Sequence, residues 1–307
     1  MGVLLTIVTI AISGSAGVAA ERRWPASAVG WARRLLVISL YTLIPFVVFF
    51  NLARTHIDTD AAGGLVIGWV AILITAVLAW LAATRLLDLS RPGTGALIGS
   101  AIVPNSGYLG YPLVASLLGF HALGEAVVYD VVVAAPSLLL LAFATGATFG
   151  DRAGESPRER VIAFFTRNPP LYAAMLAIVA PASWSPDVLV DISRVLVVAI
   201  LPIGFFAVGA ALAEGAEQGE VPVPPPLDPP VGAVILTRLV VAPALLLGLS
   251  APFIDLPGSY LLLAAMPSGI NTMIVTHAYG LDLRLTAGAV AWTTVIAVAV
   301  ALGTVVL

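Results

Sequence analysis

Apolar residues occur along the chain in runs of about 20, the length that a helix needs to cross roughly 30 Å of hydrocarbon. The runs do not alternate apolar with polar positions, and they contain Gly, Pro and Ala, so the pattern favours helices over barrel strands. The sequence therefore predicts an all-α polytopic membrane protein with ten transmembrane helices. The predicted spans are about 3–20, 35–53, 63–83, 93–118, 124–149, 168–184, 187–213, 231–253, 258–278 and 285–307.

Composition agrees with this pattern. Of 307 residues, 60% are hydrophobic and 10% are charged, whereas a soluble domain carries about 25% charged residues. Most of the surface must then face a lipid bilayer. The net charge of −3 argues against nucleic acid as a partner. The chain has no cysteine, which excludes disulfides, thiolate metal sites and cysteine nucleophiles.

The arginines predict an orientation. Twelve lie in or near the odd-numbered gaps between spans and two in the even-numbered gaps, and positive residues favour the cytoplasmic side. We therefore expect a multi-pass protein of the cytoplasmic membrane with both termini on the outer face. No positive charge precedes the first apolar run and arginines follow it, the reverse of a signal peptide, so that run is expected to be a retained span. The acidic, proline-rich gap 214–230 is expected to be a flexible cytoplasmic linker.

Two pairs of short motifs indicate an internal repeat. IPFVVFFNLA at 44–53 is similar to LPIGFFAVGA at 201–210, and VPNSGYLG at 103–110 is similar to MPSGINTM at 266–273. Each pair lies five spans apart. Because five is odd, the second copy must enter the membrane from the opposite face. Inverted repeats with interrupted helices in equivalent positions are typical of secondary transporters.

Spans four and nine each carry a break. Pro104 lacks an N–H and clashes with the carbonyl four residues back, so it interrupts its helix about halfway. Unwound backbone at that depth is tolerated only where it is buried in protein or lines a cavity. In the expected orientation the half-helix after each break begins near the membrane centre, and two such positive ends form an anion site. Asn105 and Asn271 can donate to a carboxylate, and the site needs no metal, no cofactor and no catalytic residue. The predicted substrate-binding residues are Pro104, Asn105, Ser106, Gly107, Pro267, Ser268, Gly269, Asn271 and Thr272.

Three ionisable residues in spans have more than one interpretation. Asp130 in the fifth span is either a proton or cation coupling site or an interfacial, hydrated carboxylate. Arg238 in the eighth span is expected to snorkel to the cytoplasmic surface; the alternatives are a substrate contact or a pair with Asp130. His277 can carry a proton, but hydration at the interface is the simpler interpretation.

Four segments resemble the auxin efflux carrier family: VPNSGYLGYP, MPSGINTMIVTHAYGLD, RNPPLY and LPIGFFAVGAAL. The resemblance covers essentially the whole chain. It implies two inverted five-helix repeats, 1–149 and 168–307, joined by a cytoplasmic linker at 150–167, with broken helices four and nine crossing at the substrate site. The family's central prolines and asparagines map onto Pro104, Asn105, Pro267 and Asn271.

The resemblance also implies two groups of helices with different roles. A scaffold of spans 1, 2, 6 and 7 would move against a transport domain of spans 3–5 and 8–10, and the scaffold helices would form a homodimer. Family substrates are weak organic acids. The chain lacks the long cytoplasmic loop of the plant carriers, which favours a microbial organic-acid carrier over an auxin carrier.

Three functions follow as hypotheses. The first is a secondary transporter of a small organic anion, driven by a proton gradient, a sodium gradient or the membrane potential. The second is an intramembrane serine hydrolase with Ser106 as nucleophile and His277 as base. The third is a sensor with a transporter-like fold. We expect the first, and hence no enzyme.

Overall fold

The computed structural model describes residues 2–25, 27–152, 157–166, 168–222 and 224–306. Within these ranges the regular structure is helical, and the β structure is limited to a single isolated bridge. The helices are α1 (Val3–Arg23), α2 (Ala28–Leu52), α3 (Thr59–Leu86), α4 (Arg91–Ile102), α5 (106–117), α6 (Phe120–Phe149), α7 (Pro157–Thr166), α8 (Pro169–Val179), α9 (Asp187–Glu217), α10 (Pro229–Ser250), α11 (Gly258–Ala264), α12 (Asn271–Tyr279) and α13 (Leu283–Val306).

Seven helices in the described part of the chain are long and apolar enough to cross a membrane. They correspond to predicted spans one, two, three, five, seven, eight and ten. An all-α polytopic membrane protein is thereby confirmed. The membrane helices are α1, α2, α3, α6, α9, α10 and α13.

The other three predicted spans are short or interrupted. Span four consists of α4 and α5, and span nine consists of α11 and α12. Span six is α8 alone, whose 11 residues extend about 16 Å, roughly half of the hydrocarbon thickness. The predicted end of span six at residue 184 is therefore wrong. The helix stops at Val179 because Ala180, which precedes Pro181, takes an extended conformation.

Five of the described helix starts have side-chain caps. Asp58, Ser90, Asn168, Asp228 and Asp282 each accept a hydrogen bond from the backbone N–H three residues later, at distances of 2.8, 3.3, 3.3, 3.2 and 2.9 Å. Three of these helices, α4, α8 and α10, also have proline in their first turn. Such a cap satisfies an N–H group that the helix itself leaves unpaired, and proline has no N–H to satisfy there.

Glycines bring α1 and α9 into backbone contact. A Cβ at Gly17 would collide with the carbonyl of Phe206 and lie 2.8 Å from the amide nitrogen of Ala210. A Cβ at Gly209 would collide with the carbonyl of Gly14. Small residues at such a crossing let two membrane helices pack at backbone distance. Helices α2 and α8 pack against each other, and α2 packs against α9, so the four helices form one group.

The segment expected to be a flexible linker is packed instead. Helix α9 continues to Glu217, and after it Val221 is buried against Met273, Ala287 and Val290. Farther along, the indole nitrogen of Trp292 donates to the carbonyl of Pro225 at 3.1 Å. The prediction of a loose linker over 214–230 is therefore wrong for its described residues, because an apolar side chain and a hydrogen bond fix it to α12 and α13. The other predicted linker, 150–167, contains α7, and its residues 153–156 and 167 lie outside the described ranges.

We predict that Gly17→Val lowers the thermal unfolding midpoint of the purified protein. The valine side chain must displace the backbone of α9, an overpacking defect that costs about 1–3 kcal/mol. The matched control is Gly248→Val in α10, where nothing lies within 4 Å of an added Cβ. Equal midpoints for the two variants in the same detergent would contradict the close packing of α1 and α9.

Candidate functional site

Both broken spans unwind around a proline. Helix α4 ends at Ile102, Val103 is extended with φ −99° and ψ 109°, and α5 begins at Ser106. Helix α11 ends at Ala264, and α12 begins at Asn271. Interruption of span four at Pro104 and of span nine around Pro267 is therefore confirmed. Each break is an extended segment rather than a kink.

The two breaks pair with each other through their backbones. The amide of Asn105 donates to the carbonyl of Pro267 at 2.8 Å, and the amide of Gly269 donates to the carbonyl of Val103 at 2.8 Å. These bonds form an antiparallel bridge between Pro104 and Ser268. A Cβ at Gly269 would lie 3.0 Å from the Pro104 carbonyl oxygen, so glycine permits this close approach.

Hydroxyl groups complete the second break. Ser268 is fully buried, its hydroxyl donates to the Ser100 carbonyl at 2.8 Å, and its amide donates to the Thr293 hydroxyl at 3.1 Å. The hydroxyl of Thr272 donates to the Gly269 carbonyl at 2.6 Å. Both hydroxyls donate to backbone carbonyls of the protein itself. In this structure they hold the unwound backbone in place.

A cavity of about 360 Å³ opens beside the paired breaks. Its wall comes from α2, α5, α6, α8 and α12 as well as from the breaks. Six of the predicted substrate-binding residues line it: Pro104, Asn105, Ser106, Gly107, Gly269 and Asn271. The remaining three do not line this cavity: Pro267 and Ser268 lie in the second break, and Thr272 lies in the first turn of α12.

Asn105 has an unsatisfied donor at this position. Its side chain is 3% exposed, and its amide nitrogen Nδ2 has no hydrogen-bond partner among the described residues. A buried amide without a partner is costly, so such groups often mark a ligand position. The second asparagine, Asn271, is partly exposed in the same wall at the first residue of α12.

Asp130 is buried in the cavity wall and not at an interface. Its carboxylate accepts hydrogen bonds from the hydroxyls of Ser106 and Tyr111, the second at 2.6 Å. Both partners belong to α5, and Ser106 is the first residue after the break. The carboxyl group of α6 is thereby tied to the half-helix that follows the break in span four.

Arg238 does not snorkel to the surface, and that prediction is wrong. Its side chain is 1% exposed. Its guanidinium donates to the carbonyl of Ala101 at 3.1 Å and also to the carbonyl of Ala264. These carbonyls lie inside the bundle, in the last turns of α4 and α11, so the cation faces inward and bonds neither substrate residues nor Asp130.

The three polar positions share a local conformation. Ser106, Asp130 and Arg238 each lie in a π-helical turn, at Ser106–Gly110, Asp130–Ala134 and Thr237–Val241. A π-helical turn leaves some backbone groups out of the regular ladder and occurs frequently at functional sites. Its placement depends on tertiary packing, so the sequence did not reveal it.

Two cavity residues with charged or amide side chains were not among those predicted from the sequence. Arg33 lines the cavity because α2 begins at Ala28, seven residues before the predicted start at 35. Asn168 lines it while also capping α8 through Leu171. Arg33 was counted only as an orientation signal, and a helical register extended back to residue 27 could have placed it on the wall. Asn168 stands before two prolines in the RNPPLY motif, which is a helix-start signal.

The geometry offers no support to the hydrolase hypothesis. The hydroxyl of Ser106 bonds the carboxylate of Asp130. His277 is exposed near the far end of α12, whereas Ser106 is buried. A serine nucleophile needs a base within hydrogen-bond reach. The described partner of the Ser106 hydroxyl is the carboxylate of Asp130 and not the imidazole of His277.

Comparison with known proteins gives two findings. The model of a family described as membrane transport proteins matches residues 158–304. An uncharacterized transporter of Methanocaldococcus jannaschii is 24% identical over 277 residues, which cover 86% of this chain and 85% of the relative. Both findings point to a transporter rather than an enzyme. Together with the motifs at the two breaks, they support the resemblance of the chain to the membrane transport proteins of the auxin efflux carrier family.

Proposed function

We propose that the protein is a secondary transporter that moves a small organic anion, a carboxylate or dicarboxylate, across the cytoplasmic membrane by alternating access. The observation that carries the proposal is the cavity beside two paired helix breaks, with the unsatisfied amide of Asn105 in its wall. Arg33 supplies a positive charge to the same cavity. A cavity of about 360 Å³ is at the small end of the range for ligand pockets, which suits a small acid.

The chain would cross the membrane ten times, as two inverted repeats at 1–149 and 168–307. The equivalent positions of the two breaks support this organisation, since each interrupts a span five apart from the other. Their antiparallel pairing is also what two oppositely directed copies produce where they cross. The half-helices α5 and α12 then begin at the cavity with their positive dipole ends near the anion.

The cavity would separate two moving parts. Its residues from α2 and α8 belong to the proposed scaffold, which also includes α1 and α9. Its residues from α5, α6 and α12 belong to the proposed transport domain. A site shared between two groups of helices can open to either side when one group moves against the other.

The cavity of this conformation would be open to the cytoplasm. Arg33 and Asn168 line it, and the distribution of arginines assigns both to the cytoplasmic half of their spans. Tyr108, which lines the cavity, packs so closely on α9 that a Cβ at Gly204 would lie 2.6 Å from its ring. This contact would close the path to the outside.

We predict that Asn105→Ala and Asn271→Ala each reduce uptake of the transported acid by about 10- to 100-fold at low substrate concentration. The physical reason is loss of a hydrogen bond to a charged ligand, worth about 1.5–3 kcal/mol. The measurement is uptake in proteoliposomes over a panel of labelled malate, malonate, succinate, lactate and indole-3-acetate.

The control is Asn51→Ala, which removes a buried asparagine that bonds Val47 and Ser193 in α2 and α9, outside the cavity. Uptake per folded molecule should stay near wild type in this variant. An acid that moves equally well in both crossover variants would refute the proposed site but keep the transporter. No transport of any acid would refute the substrate class and favour a sensor.

We also propose Asp130 as the coupling group if a proton gradient drives transport, because protonation would change its bonds to Ser106 and Tyr111. Asp130→Asn keeps the shape of the side chain but cannot ionise. Its uptake should no longer respond to an imposed pH gradient, while the response to voltage remains. A wild type that is accelerated by a pH gradient, with an Asn variant accelerated to the same degree, would assign the proton to another group.

A further inference from the structure

Arg238 lies at the centre of the two interrupted spans, although it belongs to neither. It is in α10, its side chain is almost completely buried, and its guanidinium bonds Ala101 and Ala264. Ala101 is one residue before the end of α4, and Ala264 is the last residue of α11. One cation therefore joins the ends of both half-helices that lead into the breaks.

These two ends are electrostatically negative. The last carbonyls of a helix have no partner within it and carry the negative end of the helix dipole. Where two such ends meet in a protein of this type, the carbonyls and unwound backbone commonly coordinate a transported Na⁺ or a proton. Here a guanidinium supplies the positive charge, and a guanidinium is planar and remains charged under all ordinary conditions.

The neighbouring carbonyls also have donors from the protein. The Ser100 carbonyl accepts from the Ser268 hydroxyl at 2.8 Å, and the Val103 carbonyl accepts from the Gly269 amide at 2.8 Å. The Pro267 carbonyl accepts from the Asn105 amide at 2.8 Å. These carbonyls around the crossover therefore each have a donor from the protein, whereas the carbonyls of Ala101 and Ala264 are bonded by Arg238.

We propose that Arg238 is a tethered cation that takes the place of a transported Na⁺ at the crossover. This inference rests on the proposed transport function for its consequence, but its structural content is independent of any substrate. The consequence is that anion movement requires no Na⁺ at the crossover, and that the driving force is the membrane potential or a proton. Without the Arg238 side chain, the vacated position would accept a small monovalent cation, Na⁺ or guanidinium.

The test is the thermal unfolding midpoint of purified protein in detergent, with NaCl replaced by choline chloride at constant ionic strength. Wild type should unfold at the same temperature in both salts. Arg238→Ala should unfold several degrees lower in choline chloride, and Na⁺ or millimolar guanidinium should restore part of that loss. The control is Arg85→Ala, which removes an exposed arginine and should respond to neither cation.

Three results would overturn the inference. The first is a wild-type midpoint that rises with Na⁺ but not with choline. The second is an Arg238→Ala protein that is destabilised yet indifferent to both cations. The third is an Arg238→Ala protein as stable as wild type. If the alanine variant does not fold, Arg238→Lys replaces it: a retained charge should leave this variant insensitive to Na⁺, and a gain of Na⁺ stabilisation would contradict the tethered cation.

Flux gives a second readout that separates the two proposals. Wild-type uptake of a transported acid should be unchanged when choline replaces Na⁺ at fixed voltage, and acceleration by a Na⁺ gradient would refute the inference. If no acid moves, the proposed function fails while the unfolding midpoints still decide the role of Arg238.

Discussion

The structure depends on how unwound backbone is satisfied inside a membrane protein. A break in a helix releases N–H and C=O groups that lipid cannot bond, and each unsatisfied group costs several kcal/mol. In this chain the solution is mutual, because Val103 and Asn105 bond the second break at Gly269 and Pro267. Neither break satisfies all of its backbone N–H and C=O groups by itself. The pairing fixes where the two halves of the chain meet, and the cavity lies beside that meeting point.

Two buried charged side chains are also held by hydrogen bonds from within the protein. Asp130 and Arg238 have opposite sign and both are buried, yet each is stabilised by neutral groups rather than by the other. Hydroxyls surround the acid and helix-end carbonyls surround the base. Keeping the two apart leaves the carboxylate in the wall of the cavity, whereas the guanidinium holds backbone together. A direct ion pair would have neutralised both groups and removed this division of tasks.

The sequence predicted the elements well and their mutual contacts poorly. Apolar runs gave the membrane helices, and Pro104, Pro267 and the nearby small polar residues located both breaks, because those signals act within a few residues. The pairing of Val103 with Gly269 joins positions 166 residues apart, and no local propensity encodes it. The candidate site was predicted to a similar extent. The residues at the breaks were identified, whereas Arg33 was missed because α2 begins seven residues before the predicted start and no side chain caps it.

Arg238 shows most clearly what the sequence alone could not predict. From the sequence, an arginine about two turns inside a span has two physical outcomes, either snorkelling to water or finding carbonyls in the protein, and hydropathy is the same for both. The decision rests on whether Ala101 and Ala264 present their carbonyls at that depth. Only the crossing of the two broken spans creates that arrangement.

The packed connection between α9 and α10 has a mechanical consequence. Val221 and Pro225 fix this segment to α12 and α13, while its other end continues directly from α9. The amides of Glu220 and Val221 donate to the carbonyl of Gly215 at 2.8 and 2.9 Å, so the chain turns back onto the end of α9 before it reaches α12 and α13. Gly219 lies in this turn with φ +72°, a conformation that glycine adopts without strain. Val221 is therefore held by α9 through its backbone and by α12 and α13 through its side chain. Helix α9 cannot be displaced relative to α12 and α13 without breaking one of these contacts.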